Sequence, residues 1–332
     1  MKSSILETIG SPLVRVPSPE GATVAAKLEG FNPGGSAKDR PAREMVLEAE
    51  RQGHIEPGDR LIEATSGNTG IGLALVCAAL DYDLTIVMPA SKSEERRRLL
   101  RAYGADLELI DGDMTAANER ADELASEGHG FRVAQFENEA NPRAHYRTTA
   151  EEIIEQVEGR TVDAFVAAVG TGGTITGTAT RLLEEYPDME VVGVEPAENA
   201  VLTTGEAGND DYQGMGPGFV SDLLDRDLLD SIETVALEDA EAECRRLARE
   251  EGILVGQSSG AANIAAQRVA ERLAQPELNC PEVEFDADAL ADAGLDADAT
   301  PVSDGGEYDD CPVVVTIFPD SGERYLSAGT FD

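Results

Sequence analysis

Short, uninterrupted apolar runs alternate with helical stretches along most of this chain, and that alternation restricts its folds more than any other feature. "RLIEA" (60–64) leads into a glycine turn and the apolar stretch "TGIGLALVCAALD". "DLTIVMPA" (83–90) is followed by "SEERRRLLRAYG", then "ADLELID" and "MTAANERADELASEG". The order returns with "VDAFVAAVG" (162–170), "GTITGTATRLLEEY" and "MEVVGVEP" (189–196). Near the end "GILVG" precedes "SSGAANIAAQRVAERLA", and "PVVVTIFPD" (312–320) closes the series. Strands that are apolar throughout, separated by helices, indicate parallel sheets covered on both faces. Two such series in 332 residues suit two α/β lobes, with ligands in the crevice at the carboxyl ends of the strands. One segment, 276–310, breaks the rhythm: it is low in complexity and full of Asp and Ala. It reads as a solvated acidic insertion between a helix and the last strand.

Charge narrows the partners. Asp and Glu number 65 against 26 Lys and Arg, a net charge of −39. That surface repels nucleic acid and anionic membranes, so neither is expected as a partner. No apolar run approaches the ~20 residues of a membrane span. The start, "MKSSILETIG", lacks the apolar core of a signal peptide, so a cytoplasmic location is expected. The acids are spread along the chain, and only four lysines accompany 22 arginines. This pattern is expected of a protein from a halophilic host. At ~1 M salt the Debye length falls to ~3 Å, where such self-repulsion is tolerable, so the fold is expected to need molar salt. A competing reading is an acidic interaction protein with 276–310 as its working end. Cys77, Cys244, Cys280 and Cys311 are scattered, and no disulfide framework or metal site is expected from their spacing.

Three glycine-rich turns carry the chemistry. Two nucleotide-binding patterns fail on inspection. In "GFNPGGSAK" Ser36 stands where a P-loop lysine belongs, and "GTGGTITG" has Ile175 where a dinucleotide fingerprint needs glycine. Gly170, Thr171, Gly172, Gly173 and Thr174 follow a buried strand and open a helix. Their backbone N–H groups and threonine hydroxyls form an anion cradle at the positive helix end. "ATSGNTG" (64–70) is a second such turn that can present N–H groups to a small carboxylate, although Ser66 or Asn68 could simply cap a helix. "GQSSGAA" (256–262) is a third, in which Ser258 and Ser259 could likewise be caps. Lys38, one of the four lysines, sits in "NPGGSAKDRP" among the smallest side chains. A phosphate cradle, a carboxylate cradle, hydroxyl donors and one lysine in a crowded turn suit a phosphorylated aldehyde held as a Schiff base, which means pyridoxal phosphate.

At these residues the chain resembles the cysteine synthase (O-acetylserine sulfhydrylase) and cystathionine β-synthase family of fold-type II pyridoxal-phosphate enzymes. The resemblance runs from "ETIGSPLVRV" to "PDSGERYLS", excluding the acidic insertion. It implies a tryptophan synthase β-like α/β fold. The smaller, substrate-binding lobe would span 40–145 and the larger, cofactor-binding lobe 13–34 and 146–332. "LEGFNPGGSAKDR" is similar to the family's cofactor-lysine segment, which makes Lys38 the catalytic residue. Asn68 would bond the ring hydroxyl, while Thr65, Ser66, Gly67 and Thr69 would hold the substrate carboxylate with Gln135 nearby. Gly170 to Thr174 would hold the phosphate, and Ser258, or else Ser259, would face the ring nitrogen. The implied reaction is β-replacement on O-acetylserine by sulfide, giving cysteine and acetate. Cystathionine β-synthase and O-phosphoserine sulfhydrylase are the alternatives, as is an idle scaffold that binds serine acetyltransferase. The resemblance also implies a homodimer, with serine acetyltransferase a possible partner.

Overall fold

The computed structural model describes residues 1–278, 280 and 311–332. Its strands are β1 (Leu13–Val16), β2 (Thr23–Leu28), β3 (Arg60–Ala64), β4 (Asp83–Pro89), β5 (Asp106–Ile110), β6 (Phe131–Arg132), β7 (Ala164–Ala168), β8 (Glu190–Pro196), β9 (Ser231–Val235) and β10 (Val313–Phe318). The helices are α1 (Asp39–Arg51), α2 (Asn68–Leu80), α3 (Glu94–Ala102), α4 (Met114–Ser126), α5 (Ala140–Ala144), α6 (Ala150–Gln156), α7 (Gly173–Glu185), α8 (Val201–Thr204), α9 (Leu237–Glu250) and α10 (Gln257–Leu273).

Two sheets organise these elements. One has the order β1-β2-β10-β7-β8-β9 and the other β5-β4-β3-β6. Every pairing is parallel except β1 with β2. The α/β reading with mainly parallel sheets therefore holds. The central strands β2 and β10 are buried along their whole length, as strands covered on both faces must be. Helices α9 and α4 bury one stripe each, α9 packing Ala240, Cys244 and Leu247 inward and α4 packing Ala117, Ala121 and Leu124, whereas α2 is buried on all sides from Thr69 to Cys77. Asp113 starts α4 by accepting from the N–H groups of Thr115 and Ala116.

The strand orders place the crevice. In the larger sheet the direction of strand addition reverses between β7 and β10. In the smaller sheet it reverses between β3 and β6. Chain segments leaving the carboxyl ends of strands on either side of such a reversal diverge and leave room for a ligand. The segments at issue are the turns after Ala64, Arg132, Ala168 and Phe318.

Two expectations are corrected. "GILVG" does not form a strand; Val255 makes only an isolated bridge to Ser321, because the run ends at once in the amino end of α10. Cys280 and Cys311 form a disulfide, with Cα atoms 5.8 Å apart. Their separation of 31 residues carried no sequence signal. They meet because both flanks dock at the start of β2: Gln275 donates its N–H to Gly21 and Thr23 donates to Pro312. Most of the acidic insertion expected at 276–310 lies outside the described residues.

Candidate active site

A cleft of about 380 Å³ opens at the carboxyl ends of both sheets, a volume typical of small-molecule sites. Lys38, Thr65, Ser66, Gly67, Asn68, Thr69, Gln135, Gly170, Thr171 and Ser258 all line it. A narrower recess beside it is lined by Lys38, Gly170, Thr171, Gly172, Thr174 and Ser258. Ser259 aside, Gly173 is the one residue singled out from the sequence for the site that is absent from both walls. It opens α7 and packs so closely on Asn141 that a Cβ would lie 2.2 Å from Oδ1.

The recess suits an anion. Gly172 adopts the left-handed conformation (φ 84°), which lets the strand turn directly into α7. The Gly173 N–H donates to Thr171 Oγ1 at 3.4 Å, and the N–H groups that follow, with the positive end of the helix, are available where the recess meets them. Thr171 is fixed by Asn141, whose Nδ2 donates to its Oγ1 (3.1 Å) and to the Gln135 carbonyl (2.9 Å). Thr174 is fixed by His145 (Oγ1 to Nε2, 3.2 Å), whose other ring nitrogen meets Thr149 at 2.9 Å. His145 lies in a π-helical turn, His145–Thr149, that continues α5 into α6 and turns the ring into the core. Burial lowers its pKa to about 3, so the ring is neutral and serves as a hydrogen-bonding post.

The turn after β3 is equally braced. The Gly67 N–H donates to Thr65 Oγ1 at 3.1 Å, and α2 begins without a capping side chain. Thr69 donates to Gln135 at 2.5 Å, which ties the turn after β3 to the one after β6. Arg96 bridges to the rim, donating to the Ser66 carbonyl (2.9 Å) and to Gln213 (2.7 Å). Phe136 and Phe219 stand at the mouth with ring centroids 5.2 Å apart.

Lys38 is half-buried where α1 begins. Burial lowers its pKa, and the carboxylates of Asp320 and Glu29 oppose that shift. Among the described residues lining the cleft, Lys38 is the sole basic side chain and Asp320 the sole acidic one. Ser258 lines both spaces, whereas the Ser259 hydroxyl is buried without a hydrogen-bond partner and belongs to neither wall. The sequence reading missed Asp320, Asn141, His145 and Arg324. A signal for Asp320 existed: an acid directly after a buried parallel strand stands at the place where such folds bind ligands.

A profile described as pyridoxal-phosphate dependent enzyme matches residues 6–278. The chain is 44% identical over 323 residues to the cysteine synthase of Staphylococcus aureus, covering 96% of this chain and 93% of that one. It is 49% identical over 325 residues to a probable cysteine synthase of Bacillus subtilis, again covering 96% and 93%. The crystal structure of O-ureido-L-serine synthase superposes with a TM-score of 0.86 at 41% identity, covering 100% of this chain and 96% of that one.

Proposed function

The chain belongs to the pyridoxal-phosphate-dependent enzymes, and we propose that it is a cysteine synthase that replaces the acetoxy group on Cβ of O-acetylserine with sulfide, releasing cysteine and acetate. The observation that carries this reading is the convergence of Lys38, the Thr65–Thr69 turn and the Gly170–Thr174 turn on one cleft, in a chain similar to cysteine synthases over almost its whole length.

The residues present fit the cofactor. Gly170, Thr171, Gly172, Gly173 and Thr174 would hold its phosphate, Asn68 its ring oxygen, Ser258 its ring nitrogen and Lys38 its aldehyde. When bound, pyridoxal phosphate supplies a carbonyl that captures amines and a conjugated ring that takes up electron density as a β-substituent leaves. The protein does the rest. The N–H groups of the Thr65–Thr69 turn, with Gln135 behind them, bind the substrate carboxylate and orient its Cα hydrogen. Lys38 removes that proton, a task suited to an amine whose pKa burial has lowered. Ser258 offers a neutral hydroxyl, which leaves the ring nitrogen without an enforced positive charge and favours elimination over deeper carbanion chemistry. Phe136 and Phe219 restrict water at the mouth.

Donor choice follows from charge. The cleft wall holds no arginine, and its one acidic side chain is Asp320. Arg43 instead donates to the Leu6 carbonyl and Arg147 pairs with Glu44. A phosphate leaving group would forgo at least one charged hydrogen bond, a deficit of about 1.5–3 kcal/mol. O-acetylserine is therefore expected to exceed O-phosphoserine by roughly 100-fold in kcat/KM for sulfide incorporation. Faster turnover of the phosphorylated donor would replace this reading with O-phosphoserine sulfhydrylase.

The finer setting is also proposed. The smaller lobe is taken as 40–145 and the larger as 13–34 and 146–332, a division supported by the segregation of β3–β6 from the other strands. We further infer a cytoplasmic homodimer from a halophilic host, with serine acetyltransferase as a possible partner. The net charge of −39 supports the salt habit. The melting temperature is expected to fall steadily as salt is lowered from molar to ~0.1 M, where the Debye length reaches ~10 Å. A melting temperature unchanged by dialysis would remove the halophilic reading.

A further inference from the structure

Asp320 follows β10 and is 1% exposed, yet it lines the cleft with Lys38. Its Oδ2 accepts from Asn68 Nδ2 at 2.6 Å and from the Tyr325 hydroxyl at 2.8 Å. Its Oδ1 is buried without a hydrogen-bond partner. That oxygen fills the space a side chain at Gly256 would need, since a Cβ there would come within 2.3 Å of it. The Asn68 oxygen accepts from Arg324, which also donates to the Gly34 carbonyl. Both ends of the Asn68 amide are thereby assigned. Turned over, it would set its nitrogen against a guanidinium and its oxygen against a carboxylate. The observed orientation leaves the second hydrogen on Nδ2 for an acceptor in the cleft. Asn68 opens α2 beside the smaller sheet and Asp320 leaves the larger one, so the bond spans the two. The backbone on either side is tied as well, through the Ala37 N–H to the Pro319 carbonyl (2.8 Å) and a bridge between Ser36 and Asp320.

We propose that Asp320 is a positioning residue of this site: it fixes the Asn68 amide for the cofactor and places the one acidic side chain of the cleft wall that Lys38 shares. The inference rests on Lys38 being the cofactor lysine. Lys38 is faced by Asp320 and Glu29, with neutral His145 beyond. Asp320 is faced by Asn68, Tyr325, Arg324, Arg96, Lys38 and Cys244. Burial raises its pKa, and Asn68, Tyr325 and the two arginines draw it back toward the ionised form.

Two variants test the role. Asp320→Asn keeps the shape and removes the charge; Asp320→Ser is smaller and cannot overpack. In cofactor-free protein, the pH midpoint for reductive methylation of Lys38, followed by peptide mass, is expected to fall by about one unit, because a nearby carboxylate favours the ammonium. In Asp320→Ser the dissociation constant for pyridoxal phosphate is expected to rise about tenfold as Asn68 loses the group that accepts from its Nδ2, one charged hydrogen bond's worth. A part played only in folding would lower the melting temperature and leave the midpoint in place. A folded Asp320→Asn with an unmoved midpoint, or a folded Asp320→Ser with unchanged cofactor affinity, overturns the proposal. The midpoint needs no cofactor. A wild-type protein that takes up no pyridoxal phosphate would therefore defeat the reading of the site, while the shift in Lys38 is judged separately.

Discussion

Alanine at position 38 is expected to lower turnover by at least ~10³-fold and to abolish covalent retention of the cofactor, with the fold intact. A positioned proton-transfer group contributes ~10²–10⁴ in rate, and this one also anchors the aldehyde. Nothing else in the cleft wall can take over: the other polar groups of the wall are hydroxyls, amides and a carboxylate. The backbone of Lys38 (φ −72°, ψ −13°) is one alanine adopts without strain, so the loss belongs to the amine. Steady-state rates and the visible absorbance of the purified variant, beside its melting temperature, measure this. A variant that retains both rate and absorbance removes Lys38 from the chemistry.

Two residues further on, Arg40→Leu is expected to destabilise the protein by about 3–5 kcal/mol. Arg40 is fully buried and binds two carboxylates. It meets Glu29 at 2.7 and 2.8 Å and Glu152 at 2.6 and 2.7 Å. Glu29 also accepts from Ser11 and Asn32, and Lys27 pairs with Glu152 at 2.8 Å. The network joins the end of β2, the first turn of α1 and α6, so it fixes the helix on which Lys38 sits. Leucine would leave Glu29 buried without its hydrogen-bonded cation, the costly case for internal charge. The pH dependence carries a signature. Burial pushes the Glu29 carboxyl up, but the charge and hydrogen bonds of Arg40 outweigh this and hold it at about 2. Its contribution is therefore complete above the ordinary carboxylate range near 4.5 and disappears as pH falls through about 2. Without Arg40 the Glu29 pKa rises, so the deficit of the variant shrinks on acidification. Urea unfolding of both proteins in molar salt, at neutral pH and at about pH 4, measures the difference. A variant as stable as the parent at neutral pH contradicts it.

The sequence alone revealed the elements that obey a simple period. "RLIEA", "DLTIVMPA" and "PVVVTIFPD" contain the largely buried β3, β4 and β10, as strands covered on both faces are mainly apolar, and "ADLELID" contains the half-exposed edge strand β5. The glycine-rich turns were legible because a strand that must become a helix within two or three residues needs glycine and hydroxyl side chains. "GILVG" misled for the same reason that the others succeeded: its composition is that of a strand, but the chain has no sheet edge to reach before α10 begins. Asp320, Arg324 and Asn68 meet across 252 and 256 residues, and Cys280 finds Cys311 only because both flank the start of β2. Such pairings depend on strand order, which no local pattern states. His145 gave no local signal because its partners, Thr149 and Thr174, are reached through a π-helical turn and a neighbouring helix.

The most direct measurement is to reduce the protein with borohydride after saturation with pyridoxal phosphate in molar salt, digest it and find the peptide that carries the pyridoxyl mass. It is expected on the peptide containing Lys38 and on none holding Lys2, Lys27 or Lys92. The mark on one of those three, or on no lysine at all, contradicts the assignment of the cleft.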